Sequence, residues 1–416
     1  MRFTAVLRAQ HLGFYFKKHW QVQGRRKVMK TGCYSVLNDL GIDIKDPKKY
    51  LENFQEKNEN QTQLNQNLKK FLGEPEEIKE NNYSYNEKPI YLYGDSNVLV
   101  EGTVQAQKLL KTLKFDRFPD QIEKNFENTK LPTNIERSFQ QSVLVSHLLD
   151  GEQQKLAKKM NPLRPMRPFP LEYGITDARK NLSLSTRLIN HCERHFGPRV
   201  AANRKTINDA LFIAQFQKRG SNIRFDVKAE TFLVTRKPIS SFASNVDEEP
   251  LPDISPLQDT ISIPNTHFYD NEIKSSYPVK TSGQFCYPHT IMLHYSNLDV
   301  KHLFETPVTP DQFESRAMIK GFAAASSCAQ SLYGFEVEEL PEPVVVQVVQ
   351  FDGKRVQFGI FQLNTLNLDV TEGPKNYWFR KPETQLYDVC CYTNGRPALT
   401  SYNFDVFRLM SVFYNN

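Results

Sequence analysis

The chain has 416 residues, of which 39% are hydrophobic and 24% charged, and its formal net charge is +6 at pH 7. A chain of this length and apolar content can bury a sizeable core, arranged as one large or two medium domains. No segment reaches the roughly 20 uncharged apolar residues that a membrane-crossing helix requires. We therefore expect a folded protein without a membrane span.

The N-terminal segment is basic and amphipathic. Its first 38 residues hold eight Lys or Arg side chains and no acidic one. Wound as a helix, it would place four apolar side chains on one side: Phe3, Val6, Leu7 and Phe14. This pattern is typical of a mitochondrial transit peptide, whereas the alternative, a basic arm that binds RNA on the mature protein, does not explain the apolar side. We predict a transit peptide over residues 1–30 and a location in the mitochondrial matrix.

A polar segment separates this N-terminus from the globular part. Much of residues 31–88 consists of Asn, Gln, Glu and Lys, with too few apolar side chains to offset the entropy of ordering. We predict a low-complexity spacer or loose helix there. The globular domain is predicted to cover residues 89–416.

Two helices are predicted early in the globular domain. Thr133 and Glu136 have the spacing of a capping box and precede apolar residues at helical spacing. Another helix is predicted to begin after Thr176 and to run to Phe196, where Gly197 ends it.

A hairpin and a long connection follow. Apolar and polar residues alternate over residues 210–217 and 223–234, which predicts two strands joined near Gly220. Residues 246–264 are acidic and contain several prolines. They predict a long surface connection between two halves of the fold.

The C-terminal part contains the clearest local signals. Thr309 and Gln312 predict the start of a helix that ends at Gly334, and the small residues at its centre, GFAAASSCAQS, predict close packing against a neighbouring element. Two Val-rich runs flank an Asp-Gly pair at residues 352–353, which predicts a β-hairpin with a type I′ turn, covered on both faces. Because strands and helices do not alternate regularly, we predict an α+β fold in which a mixed sheet with a C-terminal β-hairpin packs against helices.

Residues that carry chemistry are sparse. Motifs for nucleotide binding, zinc proteolysis and serine hydrolysis are absent, and the six cysteines, which include no CxxC pair, are expected to be free thiols. His191 and His195, one helical turn apart around Cys192, offer at most half of a zinc site. Cys286 and His289 resemble a nucleophile and its base, but a turn leading into a strand explains the same residues more simply. We predict no catalytic residue, metal, cofactor or small-molecule substrate.

Positive charge is concentrated in one part of the chain. Residues 155–237 contain 18 basic and six acidic side chains, beginning with a proline-rich arm, KKMNPLRPMRPFP. Basic residues then repeat every seven positions along the helix after Thr176, and Leu182, Ile189 and Phe196 are expected to face the core on its opposite side. Such a surface suits binding of a phosphate backbone without base readout, although a merely solvated face is the alternative. The predicted RNA-binding residues are Lys158, Lys159, Arg164, Arg167, Lys180, Arg187, Arg194, Arg199, Arg204 and Lys205.

One stretch carries a specific resemblance. Residues 340–376, LPEPVVVQVVQFDGKRVQFGIFQLNTLNLDVTEGPKN, resemble the mitochondrial large ribosomal subunit protein thirty-seven family. Three further segments resemble the same family in the same order: IYLYGDSNVLVEGTVQAQKLLKT, which is the weakest, YPHTIMLHYSNLD and MIKGFAAASSCAQSLYG. The resemblance covers most of the chain from about residue 88, and nothing is carried over to the polar segment before it.

The resemblance implies a structural constituent of the large subunit of the mitochondrial ribosome, without enzymatic activity. It also implies contacts with the large-subunit rRNA, with other large-subunit proteins and with a paralogue in the same subunit, programmed cell death protein nine. The RNA-binding residues are inferred from charge and not from the family. Two alternatives stay open: the paralogue itself, and a mitochondrial RNA-binding assembly factor that associates only transiently.

Overall fold

The computed structural model describes residues 32–42, 87–149, 152, 154–156, 158, 160–161, 164–170, 172–243, 250–269, 272–297, 300, 307–370 and 373–416. The chain divides into two compact units, Met1–Ser84 and Tyr85–Asn416. The described part of the first unit contains one helix, α1 (Gly32–Asp39). The predicted transit peptide lies outside the described residues, and so does most of the predicted spacer.

The second unit combines a large sheet with helices. Its strands are β1 (Glu87–Gly94), β2 (Thr112–Phe115), β3 (Gln154–Lys155), β4 (Met160–Asn161), β5 (Arg164–Pro168), β6 (Tyr173–Gly174), β7 (Arg204–Lys218), β8 (Ser221–Thr235), β9 (Asn265–Tyr269), β10 (Ser275–Ser276), β11 (Tyr287–His294), β12 (Glu339–Phe351), β13 (Arg355–Thr365), β14 (Asn376–Arg380), β15 (Thr384–Gln385), β16 (Val389–Thr393) and β17 (Arg396–Thr400). Its helices are α2 (Gly102–Leu109), α3 (Asp120–Asn128), α4 (Thr133–Leu148), α5 (Asp177–Phe196), α6 (Pro198–Ala201), α7 (Pro310–Tyr333) and α8 (Asp405–Asn415). Among the described residues, no helix is both long and apolar enough to cross a membrane.

Eleven strands form one mixed sheet. Its main path is β10-β7-β8-β11-β12-β13-β14-β2, with β1 between β8 and β9 and with β15 beside β13. Three neighbouring pairs are parallel, namely β1 with β8, β11 with β12 and β14 with β2. The pairs β3 with β6, β4 with β5 and β16 with β17 form small separate sheets. This mixed sheet with its packed helices and hairpins confirms the predicted α+β class.

Helices cover both faces of the large sheet. On one face, α2 and α7 pack over a core that includes Val346 and Val348 of β12. On the other face, α3, α4, α5 and α8 pack over a core that includes Val345 and Val349. Successive residues of a strand point to opposite faces, so an uninterrupted run of valines is buried on both sides. The predicted two-sided burial of the hairpin is therefore confirmed.

Helix α7 lies against the sheet at unusually short distance. A Cβ added to Gly321 would lie 3.0 Å from Cγ2 of Val348 and 3.1 Å from Cβ of Phe361. The alanines and serines that follow it are fully buried. Close packing, predicted from the small residues of this helix, is confirmed.

Three charged side chains of α7 are also buried. Nζ of Lys320 lies 2.7 Å from Oδ1 of Asp95, and Arg316 donates to the backbone oxygen of the same aspartate. Glu314 accepts a hydrogen bond of 3.0 Å from the indole N–H of Trp378. Burial lowers the pKa of Lys320 to about 8 and raises the pKa of Glu314. Because an unpaired buried charge costs several kcal/mol, these contacts fix α7 in one position over the sheet.

The start of α4 differs from its prediction, whereas the start of α7 does not. Thr133 is the first helical residue of α4, Pro132 precedes it, and no side chain caps the helix, so the predicted capping box with Glu136 is not formed. Pro132 takes the N-cap position with a φ that suits the start of a helix, so the helix begins one residue earlier than predicted. At α7, the hydroxyl of Thr309 accepts from the N–H of Gln312 and the Gln312 side chain bonds back, which confirms the predicted capping box.

Residues 250–264 belong to the predicted connection between two halves. Nε2 of Gln105 donates to the backbone oxygens of Asp259 at 2.9 Å and of Ile261 at 2.7 Å, which holds this segment against α2. The segment leads from β8 to β9, and both strands lie in the same sheet.

The two long hairpins have different turns. Between β7 and β8, Arg219 with a φ of +49° and Gly220 with a φ of +72° have the two positive angles of a type I′ turn. Between β12 and β13, the N–H of residue 352 donates to the backbone oxygen of Arg355, so Gly353 and Lys354 are the central residues. Only Gly353 has a positive φ there, of +95°. The predicted type I′ turn is therefore wrong, and the angles resemble a type II′ turn.

The Asp352 side chain explains this shift. Its Oδ1 accepts hydrogen bonds from the N–H groups of Lys354 at 3.0 Å and of Arg355 at 2.7 Å. An aspartate that bonds to backbone groups two and three residues later stabilises a turn that starts at the aspartate itself. Asp352 therefore acts as the first corner of the turn and not as one of its two central residues.

Gly353→Val should destabilise the fold more than Gly395→Val. Both glycines have a positive φ, but a Cβ on Gly353 would lie 3.2 Å from Oδ1 of Asn181 and 3.3 Å from Nε2 of His147, while Gly395 has open space. Backbone strain costs about 1–2 kcal/mol at either position, and overpacking adds about 1–3 kcal/mol at Gly353. Urea denaturation of the two variants measures the difference. Equal losses of unfolding free energy in the two variants would show that Asn181 and His147 move away from the new side chain at no measurable cost.

Candidate nucleic-acid interface

Helix α5 carries the central part of the predicted RNA-binding surface. Its inner side includes Leu184, Leu188 and Cys192, which are buried in the core shared with α4 and α8. Thr176 precedes the first turn without capping it through its side chain, and Gly197, with a φ of +73°, ends the helix as predicted. The inner side anchors α5 and leaves its outer side to solvent.

The three basic residues that repeat every seven positions on α5 lie in different environments. Nζ of Lys180 lies 3.3 Å from Oδ1 of Asp177, with which it forms an ion pair. Arg187 is half-buried, and its Nε donates to Oγ of Ser183 at 3.3 Å. Arg194 is exposed. Within the described part of the chain, neither arginine forms an ion pair with a carboxylate, so these two cations are the ones available to an external anion.

The apolar side of α5 is narrower than predicted. Ile189 is buried, and Phe196 is half-buried with its ring centroid 6.1 Å from that of Tyr414. Leu182, in contrast, is 47% exposed, so the prediction that it faces the core is wrong. An α-helix drifts by about 20° per heptad relative to a seven-residue repeat. Residues two heptads apart, such as Leu182 and Phe196, therefore do not share one face fully.

Arg187 and Arg194 border a groove of about 210 Å³ between α4 and α5. The remaining lining residues are Ser138, Gln141, Ser142 and Val145 of α4 and Asn190 and His191 of α5. None of the eight lining residues carries a carboxylate. The groove is therefore polar and positively charged. The sequence analysis did not identify the residues that α4 contributes, because serine and glutamine carry no charge.

His191 forms the floor of this groove. Its Nε2 lies 2.8 Å from Oγ of Ser142, and the Ser142 hydroxyl donates to the backbone oxygen of Ser138 at 3.0 Å. Since a hydroxyl has one proton to donate, the imidazole N–H donates to the hydroxyl. Burial and then the positive charges of Arg194 and Arg187 lower the pKa of His191. Both arginines therefore act on the same imidazole.

The other predicted RNA-binding residues lie on both sides of α5 in the chain. Three of them are exposed: Lys158, Arg199 and Lys205. Lys159 lies outside the described residues. Arg164 and Arg167 belong to β5, for which only the backbone is described. The structure therefore places Arg187 and Arg194 on the same groove, and a role in RNA binding stays a prediction for all of these positions.

Arg204 is engaged within the protein. Its Nη2 donates to the backbone oxygen of Asn416 at 2.9 Å, and its Nε donates to that of Tyr414 at 3.3 Å. It lines a cavity of about 570 Å³ together with Arg236 and Lys237. Its contacts tie the start of β7 to the last turn of α8 and to Asn416, so Arg204 has a structural role whether or not it reaches RNA.

The two candidate sets of reactive residues, around Cys192 and around Cys286, are engaged in contacts within the protein. Cys192 is fully buried, burial raises the pKa of its thiol to about 12, and the imidazole of His191 is bonded to Ser142. Within the described part of the chain, no group of three or more His, Cys, Asp or Glu side chains is arranged to hold a metal ion. Nδ1 of His289 lies 2.8 Å from Oγ1 of Thr290, and burial raises the pKa of the Cys286 thiol. Neither cysteine is an activated thiolate.

Comparison with known proteins identifies relatives along most of the chain. No protein-family model matches. The large ribosomal subunit protein mL37 of Rattus norvegicus is 26% identical over 314 residues, which cover 73% of this chain and 67% of the relative, and mL37 of Mus musculus gives the same values. The mL37 protein of Gallus gallus is 31% identical over 137 residues, which cover 32% of this chain and 30% of the relative.

The class that these relatives define is that of ribosomal proteins. Within this class, the chain is similar to mL37 proteins over most of its length, and these relatives support the mL37 family of the mitochondrial large ribosomal subunit. The resemblance carried by residues 340–376 is therefore confirmed. The relatives support a structural role in the ribosome and a mitochondrial location.

Burial of His289 should make the stability of the fold depend on pH. The side chain is 1% exposed, and burial together with the charge of Arg204 lowers its pKa from 6.5 to about 3. Between these two values the unfolded chain binds the proton and the folded chain does not, so the free energy of unfolding falls as the pH falls, by up to about 1.4 kcal/mol per pH unit. His289→Gln removes this contribution. In urea denaturation from pH 7.5 to 4, the stability of the variant should fall less steeply, and parallel curves would contradict the assignment.

Proposed function

We propose that the protein is a structural constituent of the large subunit of the mitochondrial ribosome and works in the mitochondrial matrix. The observation that carries this proposal is the similarity to mL37 proteins, which extends over 73% of the chain. In this role the protein contacts the large-subunit rRNA and neighbouring proteins and catalyses no reaction. Pairing with the paralogous ribosomal protein is supported by the family resemblance alone.

The geometry of α5 supports the RNA contact. Its inner side is buried, which holds the helix in place, while Arg187 and Arg194 on its outer side have no carboxylate partner among the described residues. Arginines on a fixed helix suit the planar, bidentate recognition of phosphate oxygens. Contacts of this kind position a protein on RNA and do not read the base sequence.

A transient assembly factor is the competing function, and sedimentation separates the two. In gradients of matrix extract, a constituent should sediment with the mature large subunit and with complete ribosomes. An assembly factor would be confined to incomplete large-subunit particles. Recovery of the protein only in such precursors, or only at the top of the gradient, would contradict the proposed function.

Removing positive charge from α5 should weaken RNA binding and its salt dependence. The variant carries Lys180→Gln, Arg187→Gln and Arg194→Gln, and the control carries Arg117→Gln, Lys124→Gln and Lys130→Gln at exposed positions outside the basic segment. Each phosphate that loses its contact should reduce the slope of log affinity against log salt by about 0.7–0.9.

This measurement uses large-subunit rRNA transcribed in vitro and titrations at several salt concentrations. The control should keep the slope of the unchanged protein, because it loses the same charge at a different place. A variant with an unchanged slope would assign the RNA contact to other residues, of which Arg199 and Lys205 are exposed.

A further inference from the structure

We propose that Arg187 and Arg194 together hold one phosphate group of the RNA backbone in the groove between α4 and α5, above His191. This inference rests on the proposed function, since rRNA supplies the phosphate. It differs in two respects from a row of three basic residues on α5 that bind RNA separately. It assigns the contact to two residues and not to three, and it assigns both of them to the same phosphate.

The spacing of the two arginines allows them to converge. Seven residues of an α-helix span about 10.5 Å, and His191 lies between them along the helix. The positive charges of both arginines lower the pKa of His191, so both act on the middle of the groove. Both arginines line the groove, on either side of His191 along the helix. To reach a phosphate above the imidazole, Arg187 would exchange its bond to Oγ of Ser183 for a bond to that phosphate.

The remaining surface of the groove suits an anion. Gln141 and Asn190 contribute amide N–H donors, and Ser138 contributes a hydroxyl. None of the lining residues carries a carboxylate that would repel a phosphate. With a volume of about 210 Å³, the groove has room for a phosphate group. Charge-assisted bonds from two guanidiniums would replace the hydration of that phosphate.

Lys180 does not belong to this site. It lies seven residues before Arg187, and its ammonium group already has the Asp177 carboxylate at 3.3 Å. Lys180 also does not line the groove. Lys180→Gln is therefore a control on the same helix, and it should change RNA affinity less than either arginine substitution.

A double-mutant cycle tests whether one phosphate is shared. Arg187→Gln and Arg194→Gln, singly and together, are compared for binding to large-subunit rRNA transcribed in vitro. Each single change should weaken binding by about tenfold, and the double change by about tenfold to thirtyfold, because the second arginine contributes little once the shared phosphate is lost. The salt slope of the double variant should fall by about 0.7–0.9, the value for one phosphate.

Other outcomes of the cycle overturn the proposal in distinct ways. Losses that multiply to about a hundredfold, with a slope reduced by about twice that amount, would mean that each arginine holds its own phosphate. Unchanged RNA affinity combined with poor incorporation into the large subunit would mean that the groove binds a carboxylate of a neighbouring protein. The Arg117→Gln, Lys124→Gln double variant, matched in charge, should behave as the unchanged protein in both assays.

NMR titration of the His191 imidazole in the full chain locates the anion. The charged groups that act on this ring are Arg187 and Arg194 of its own helix, while α4 contributes Ser142 and α8 contributes the ring of Phe407. Inorganic phosphate, exchanged for chloride at constant ionic strength, should raise the pKa of His191, because it offsets both arginines. The Arg187→Gln, Arg194→Gln variant should show no such response.

The NMR result also separates the two sources of phosphate. A response of His191 to inorganic phosphate without any effect of the arginine substitutions on RNA binding would assign the groove to free phosphate and overturn its assignment to RNA. RNA binding that depends on the arginines without a response of His191 would place the phosphate outside the groove. If the protein fails to sediment with ribosomes although the cycle and the titration behave as expected, the groove stands and the ribosomal role fails.

Discussion

The close approach of α7 to the large sheet is the contact on which the rest of the fold depends. A Cβ on Gly321 would lie 3.0 Å from Val348 and 3.1 Å from Phe361, so a larger residue would press against the sheet and small residues are favoured at the centre of this helix. At this distance Lys320 reaches Asp95, and Glu314 reaches Trp378. Packing and buried polar contacts thus specify the same position of α7. A shift of this helix would create voids in the core, and it would also leave buried charges without partners.

Once α7 covers one face of the sheet, the chain has to cover the other face with α3, α4, α5 and α8. Strands with apolar residues on both faces cannot leave either face in water. α5 is therefore held through Leu184, Leu188 and Cys192, and its position relative to α4 is set by the same core. The groove between these two helices is a consequence of that packing. The basic surface lies on a rigid support, although it contributes little to folding itself.

The sequence predicted those parts of the structure that depend on local chemistry. The capping box at Thr309, the end of α5 at Gly197 and the alternation along β8 follow from side chains a few residues apart, and the structure agrees with all three. Predictions failed where a neighbour in the chain or in space decided the outcome. Pro132 displaced the predicted cap at Thr133, and the Asp352 side chain moved the hairpin turn.

The site was predictable to the same extent. Charge density along the sequence identified α5, and the heptad spacing identified Arg187 and Arg194. Sequence alone did not distinguish them from Lys180, because the ion pair with Asp177 depends on side-chain geometry. It also did not identify Ser138, Gln141 and Ser142, which come from a helix about fifty residues earlier in the chain and have no charge. The order of the strands likewise depends on contacts between distant segments, and no local pattern determines it.

A pair of arginines of which one is half-buried would suit a protein that stays bound to RNA. Fully exposed lysines are strongly hydrated and flexible, so salt screens them and ordering them costs side-chain entropy. Arg187 is half-buried and bonded to Ser183, so part of that entropy is already lost when the protein folds. A phosphate in the groove would also exclude water from both guanidiniums and strengthen their attraction to it. Such a contact would not read the base sequence, but it would fix the position of the protein on the RNA. A structural constituent of a particle requires a fixed position of this kind.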